Sequence, residues 1–236
     1  MTDSAPIRAA IVDYGLGNLF SVKHACAHAG MEGHITADRG EIMAADVVFL
    51  PGVGACGDAM RNLRQRDLVG PLQDIAASGG FLVGICLGQQ LLMTESYEFG
   101  HHQGLNIVRG DVVRFENPAA ALDGRDRVTR RPLKVPQVCW NQIFRPEGVS
   151  WEGTPLAGQS DGEFMYFVHS FYTRPENPAV ILAITRYGGI TFCSALRHGR
   201  IFAFQFHPER SGPQGLRVYQ QIAALVRQQR EVNEHV

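Results

Sequence analysis

Long apolar runs are missing from this 236-residue chain. Nothing approaches the roughly 20 residues needed to span a bilayer, so no membrane role is expected. A surplus of basic charge is missing too. With a net charge of −1 and 19% charged residues, neither nucleic acid nor an anionic membrane surface is an expected partner. There is no CxxC pair, and the five cysteines (Cys26, Cys56, Cys86, Cys139, Cys193) are odd in number and widely spread. That argues against a disulfide scaffold and for a reducing, cytoplasmic setting. Low-complexity segments and internal repeats are absent. The opening Met1–Pro6 is polar and is expected to be a short flexible tail, not a signal peptide. What is present, 45% hydrophobic residues, suffices for one core, and a single domain over residues 1–236 is expected.

The chemistry centres on Phe81-Leu-Val-Gly-Ile-Cys86-Leu-Gly-Gln-Gln-Leu-Leu-Met93. Phe81 to Val83 reads as a buried strand. Gly84, Cys86 and Gly88 form Gly-x-Cys-x-Gly, and Gln89 to Glu95 has helix-forming composition. This is the cysteine form of a strand–turn–helix nucleophile elbow. A nucleophile on a sharp turn needs strained backbone, and side chains two residues to either side would collide unless they were glycine. The position at a helix N-terminus favours the thiolate. The competing reading is a buried cysteine flanked by chance glycines.

Ile201-Phe-Ala-Phe-Gln-Phe-His207-Pro-Glu209 shifts that balance. It is a second apolar strand, ending in His-Pro-Glu. Sites in parallel α/β sheets form at the carboxyl ends of strands, where Cys86 and His207 would both sit. A histidine can take the thiol proton, and a carboxylate can orient the imidazolium. Cys86, His207 and Glu209 are therefore the expected catalytic residues.

A third strand, Asp46 to Leu50, runs into Pro51-Gly52-Val53-Gly54. Glycine-rich backbone can bring N–H groups close to a developing oxyanion. Gly52, Val53 and Gly54, with the Leu87 amide, are the expected oxyanion site. The alternative is an ordinary strand-to-helix turn. Strands are also expected over Arg8 to Asp13, Glu32 to Thr36 and Asp111 to Phe115. Helices are expected from about Leu19 to Ala29, over Asp58 to Leu68 and Leu72 to Ala77, and from Gly215 to Arg230. Ser96 to His102 reads as a loop, and Asn117 to Arg131 as a mobile excursion. Phe164 to Phe171 and Val180 to Thr185 read as hairpin-like strands, followed by Thr191 to Arg197 after Gly188-Gly189. The class is α/β: an open mixed, mainly parallel sheet flanked by helices. Gly15-x-Gly17 fails as a dinucleotide loop because Phe20 stands where the third glycine belongs. His24 and His28 have metal-compatible spacing but no further ligands nearby, so no metal is expected, and no cofactor either.

Taken together, Asp13-Tyr-Gly-x-Gly-Asn18, Leu50-Pro-Gly-Val-Gly54, Gly84-Ile-Cys-Leu-Gly-Gln-Gln90, Trp140-Asn141, Tyr166-Phe-Val-His-Ser170 and Gln205-Phe-His-Pro-Glu-Arg-Ser211 resemble the class I (triad) glutamine amidotransferases. Within that family they look most like the glutaminase subunits of imidazole glycerol phosphate synthases, over about Ile7 to Val226. The resemblance implies a flavodoxin-like fold. It implies that Cys86 attacks L-glutamine to give a glutamyl thioester and ammonia, with His207 as base and acid and Glu209 holding it. It also implies that Gln90 and the backbone at His169, Ser170 and Phe171 bind the amino-acid end. The ammonia would pass to a (β/α)8-barrel cyclase subunit, in a heterodimer that makes imidazole glycerol phosphate and an aminoimidazole carboxamide nucleotide for histidine biosynthesis.

Tyr14, Asn18, Trp140, Asn141 and Tyr166 are expected at the exposed partner face, although Trp140 could instead be a core residue. Cys139 stands where the subfamily usually has glycine, and Phe171 replaces a frequent tyrosine. These departures could mark a paralogue serving another pathway. An amidotransferase of a different synthase (pyridoxal phosphate, anthranilate or a surface-sugar pathway) is one alternative reading. A non-catalytic binding module is another, which the intact Cys86, His207 and Glu209 argue against.

Overall fold

The computed structural model describes residues 5–116 and 134–234. The excursion expected at 117–131 lies outside them, as do residues 1–4 of the expected tail. The first half alternates strand and helix: β1 (Ile7–Val12), α1 (Leu19–His28), β2 (Met31–Thr36), α2 (Arg39–Met43), β3 (Val47–Gly52), α3 (Cys56–Gln65), α4 (Val69–Ala77), β4 (Phe81–Cys86) and α5 (Leu87–Leu91). Three shorter strands follow, β5 (Glu95–Ser96), β6 (His102–Gln103) and β7 (Gly110–Arg114). The rest is β8 (Gln137–Ile143), β9 (Glu163–His169), β10 (Phe171–Pro175), β11 (Ile181–Tyr187), β12 (Ile190–His198), β13 (Ile201–Phe204) and α6 (Gly212–Glu234).

The main sheet runs β2-β1-β3-β4-β13-β12-β10-β7-β5-β6, with β11 paired to β12. From β2 to β13 it is parallel; from β13 to β10 and β7 it is antiparallel. Helices cover both faces, so β3 and β4 are buried along their whole length and read as continuous apolar runs. Alternation divides them between two cores. Val47, Phe49 and Val83 pack with α1 and α6 residues such as Val22, Tyr219 and Ile222. Val48, Leu50 and Leu82 pack with Met60, Leu63, Leu72 and Leu91 from α3, α4 and α5.

The structure departs from the sequence reading in four places. The run from Phe164 to Phe171 is not one strand: β9 pairs with β8 in a separate two-stranded sheet, and β10 belongs to the main sheet. Both sheets bury the same parity (Met165, Phe167, His169, then Phe171 and Thr173), so the alternation continues unbroken through the crossing at Ser170. The hairpin is β11–β12, turned by Gly188 and Gly189 at φ +57° and +82°. The helix after the elbow ends at Leu91, not Glu95, because the Leu91, Leu92 and Met93 carbonyls turn aside to accept from Leu105, Ile107 and Asn106 at 2.8, 3.0 and 3.0 Å. α2 went unpredicted; its start is fixed by Asp38, whose carboxylate accepts from the Glu41 amide at 2.8 Å.

α6 opens against a short 3-10 turn, Pro208–Arg210, with Gly215 so close that a Cβ would overlap the Pro208 carbonyl oxygen. Gly215→Ala should therefore lower the free energy of unfolding by about 1–3 kcal/mol despite its better helix propensity. Urea titration checks this, and an unchanged or higher midpoint would contradict the close packing.

Candidate active site

β4 delivers Cys86 at φ +56° and ψ −108°, backbone that a non-glycine residue adopts only under strain. The flanking glycines make it possible. A Cβ on Gly84 would lie 2.9 Å from the carbonyl carbon and oxygen of Gly88, and one on Gly88 would overlap the Leu50 carbonyl. The elbow thus folds back on itself and onto β3. Cys86 stands at the N-terminal boundary of α5, a helix of only five residues, and its thiol makes no capping hydrogen bond, so the local N–H groups of the first turn matter more than a macrodipole. Cys86 is 6% exposed. Its Sγ receives a long hydrogen bond from Gln205 Nε2 at 3.8 Å and lies 3.8 Å from the Val168 carbonyl.

The neighbouring strand β13 carries the chain to His207. The His207 amide donates to the Tyr166 carbonyl at 2.9 Å, while Ser211 Oγ accepts from the Tyr166 amide at 3.0 Å and donates to the His207 carbonyl at 2.7 Å. These bonds pin the histidine turn to β9. Nδ1 is 2.8 Å from Glu209 Oε1, and the two side chains are 4% and 1% exposed. Burial alone would depress the His207 pKa. The negative charge and hydrogen-bonding capacity of Cys86, then the hydrogen bond and charge of Glu209, outweigh burial and push it up to about 10. Nε2 has no partner that meets hydrogen-bond geometry, so the pull toward Cys86 is charge attraction and not a formed bond.

Cys86 opens into a cleft of about 170 Å³. It brings Cys86 together with Val53, Gly54, Leu87 and Gln90, and with the backbone segment His169–Phe171. A larger recess of about 360 Å³ beside Arg8 and His34 is lined by no cysteine. His169 is buried among Phe115, Phe167 and Phe192, its Nδ1 2.8 Å from the Phe171 carbonyl. Burial lowers its pKa to about 4, so the ring stays neutral.

Glu98 also lines the cleft, and the sequence reading passed over it. It is 8% exposed, accepts from the Cys56 amide at 2.6 Å, and burial raises its pKa. Its signal was faint: one carboxylate in a short polar loop. Phe171 meets Phe99 edge-on at 6.1 Å.

Two expectations need correction. Gly52 faces Cys86 across the β3–β4 ladder, but it does not line the cleft. A Cβ there would overlap the Tyr14 hydroxyl and lie 2.9 Å from Leu87 Cβ, so packing, not substrate approach, demands glycine. Gly54 is the reverse case: nothing lies within 4 Å of a Cβ, and its φ of +103° is what favours glycine. Tyr14 is not at an exposed face. It is completely buried, and its hydroxyl donates to the Pro51 carbonyl at 2.8 Å, anchoring the Pro51–Gly54 turn from beneath.

Asn18 is partly exposed at the start of α1, beside Phe20 at 71%. Trp140 is 51% exposed, which excludes the core reading, and it meets Tyr166 edge-on at 6.1 Å. Asn141 donates to the Arg186 carbonyl at 3.0 Å. His24 and His28 are exposed on α1, and among the described residues no group of three or more His, Cys, Asp or Glu is arranged to hold a metal. No described helix is long and apolar enough to cross a membrane.

The family model for class I glutamine amidotransferases matches residues 10–224. The chain belongs to that family. An imidazole glycerol phosphate synthase subunit HisH from Rhodopirellula baltica is 45% identical over 90% of this chain and 95% of its own length. The same-named subunit of Geobacter metallireducens is 42% identical over 91% and 96%. Among solved structures, a putative GMP synthase subunit from Thermoplasma acidophilum aligns with a TM-score of 0.67 at 16% identity, covering 98% of both chains. The PurLQS structure from Thermotoga maritima aligns at 0.64 and 17% identity, over 93% of this chain and 99% of that one. At such identities these two speak for the fold alone.

Two predictions come from this geometry. Gly54→Ala, held at φ +103°, should destabilise by about 1 kcal/mol and also reduce glutaminase kcat per folded molecule, whereas Gly52→Ala should destabilise by about 1–3 kcal/mol with kcat per folded molecule preserved. Comparable kcat loss per folded molecule in both variants would reverse the distinction. The raised His207 pKa stabilises the native state fully below about 6.5, and this contribution is lost as pH rises through about 10. Urea midpoints at pH 6, 8 and 10 should therefore fall more steeply in wild type than in His207→Gln; parallel curves would disprove the raised pKa.

Proposed function

We propose that this chain is the glutaminase subunit of an imidazole glycerol phosphate synthase, with Cys86 as its nucleophile. The reading rests chiefly on one combination: relatives of that name at 45% and 42% identity along nearly the full chain, and a strained Cys86 opening into the cleft beside the buried His207–Glu209 pair.

Sγ adds to the carboxamide carbon of L-glutamine, and the carbonyl electron pair moves onto oxygen. The backbone amides of Val53–Gly54 and Leu87 receive that charge. His207 gives its proton to the departing nitrogen, the C–N bond breaks, and ammonia and a glutamyl thioester remain. His207 then takes a proton from water as the hydroxide adds to the thioester. The C–S bond breaks, releasing glutamate and restoring the thiolate and imidazolium. The causes of the His207 shift make this alternation possible. The charge on Cys86, a principal cause raising its pKa, disappears in the thioester, so the ring becomes a willing base when water must be activated.

Gln90 and the His169–Phe171 backbone hold the amino-acid end. Glu98 is positioned to pair with the α-ammonium, a partner that would return its carboxylate to the charged form at lower pH. Ammonia passes to a (β/α)8-barrel cyclase subunit docked over the cleft mouth, where Asn18, Trp140, Asn141 and Tyr166 form part of the contact. Val138, Trp140 and Phe164 are about half exposed on β8 and β9, and Arg210 lies over the Tyr166 ring at 5.1 Å. Aromatic and Arg side chains of this kind suit an interface anchor.

Cys86→Ala should abolish glutamine hydrolysis and labelling by a glutamine-mimicking electrophile. His207→Ala should be nearly as severe, and Glu209→Ala milder, since an orienting group contributes less than the base. Undiminished labelling of Cys86→Ala would refute the assignment. Docked cyclase carrying its nucleotide ligand should raise turnover at least tenfold, about 1.4 kcal/mol of barrier. Equal turnover with and without it, or copurification with a different synthase, would redirect the assignment of the partner.

A further inference from the structure

The buried side of the nucleophile carries a feature that the thioester mechanism does not use. Gln205, completely buried at the end of β13, lies behind Cys86. Its Nε2 donates to Sγ at 3.8 Å, and its Oε1 accepts from Gln90 Nε2 at 3.1 Å. Gln90 Nε2 is also held by the Phe171 carbonyl at 2.9 Å. The orientation of both amides follows from acceptors that cannot donate. The Phe171 carbonyl requires an N–H from Gln90. The same amide group then meets Gln205 through its oxygen, which turns the Gln205 amide nitrogen toward the sulfur.

We propose that Gln205 is a positioning residue that links the amino-acid subsite to the nucleophile through a buried Gln90–Gln205–Cys86 hydrogen-bond chain. The proposal rests on Cys86 being the nucleophile. In a water-free interior a chain of hydrogen bonds polarises along its length. Gln90 lines the cleft, so a cationic group drawing on its Oε1 strengthens the Gln90 N–H toward Gln205. That in turn strengthens the Gln205 N–H toward Sγ. Occupancy of the amino-acid end would thereby stabilise negative charge on the sulfur just when a substrate is in place. The donor is in place before substrate arrives, so it also helps hold the thiol in the strained elbow.

The test is the rate at which iodoacetamide alkylates Cys86 in the full-length chain at fixed pH, followed on the Cys86 peptide by mass spectrometry. Gln205→Met preserves shape and removes the donor. It should slow Cys86 alkylation about tenfold, the usual effect of one hydrogen bond to a charged group. With the cyclase present, kcat should fall by a similar factor and KM by no more than about twofold. A merely structural role predicts the opposite sign, because a loosened core exposes Cys86 and speeds alkylation. Gln90→Met provides a second reading should Gln205→Met fail to fold. Gln90 does not touch the sulfur, yet the chain predicts alkylation slowed about twofold, by lost polarisation. Alkylation unchanged or faster in the folded variants overturns the proposal. If wild-type alkylation at Cys86 leaves glutamine turnover intact, the nucleophile reading fails and takes this proposal with it. If alkylation extinguishes turnover but neither variant slows it, only the hydrogen-bond chain falls.

Discussion

The whole site depends on how closely the backbone at Gly88 approaches the Leu50 carbonyl. There is no room for a Cβ between them, and almost none between Gly84 and Gly88. That closeness lets the chain leave β4, reverse through a strained Cys86 and enter a helix without stepping away from the sheet. The same pair of strands sets Gly52 directly across from Cys86 in the ladder. One piece of parallel pairing therefore places both the sulfur and the turn that faces it. Strain of about 1–3 kcal/mol at Cys86 is sustained because β3 and β4 are buried on both faces by two separate cores.

Burial around the sulfur raises the stakes of every polar group there. His207 Nε2, Glu209 Oε2 and the Tyr219 hydroxyl are all buried without hydrogen-bonding partners. Unsatisfied groups of this kind cost free energy, and they recur where a site is shaped for a reaction and not for its resting state. His207 Nε2 is the atom that would exchange a proton in the proposed mechanism. Glu209 can serve its histidine with one oxygen because the other is kept from water. Cys193 and Cys26 show the contrast. Both are buried, and burial pushes each thiol up to about 12, far from any working nucleophile. What separates Cys86 from them is its turn and its neighbours, not its burial.

Much of the parallel half was legible because its signals are local. Continuous apolar runs bounded by glycine turns mark β3 and β4, and Gly-x-Cys-x-Gly is a backbone requirement written in side chains. His-Pro-Glu is similar: two residues of separation put the carboxylate against the ring on one tight turn. The antiparallel half was harder. Nothing in the alternation of β9 and β10 reports which sheet each joins, because register parity is shared between them. Tyr14 was misread for a related reason. Its motif neighbours, Gly15 to Asn18, have at least partly accessible surface, whereas its own side chain turns inward to the Pro51 carbonyl. Glu98 was invisible because its placement depends on β5 and β6 folding a short loop back over α3, where it meets the Cys56 amide.

The separate β8–β9 sheet is what joins the outer surface to the chemistry. Its outer side carries Trp140 and, opposite it in register, Tyr166. The Tyr166 backbone carbonyl takes the His207 amide, and its own amide donates to Ser211, which closes back on the His207 carbonyl. A displacement of β9 by a bound partner would therefore move the His207 turn directly, through one backbone hydrogen bond and the Ser211 hydroxyl bridge. The Pro51–Gly54 turn lacks such a strand-borne link; Tyr14 holds it from the core side. Pressure on the exposed aromatics would thus reach His207 by a shorter route than it reaches the Pro51–Gly54 turn.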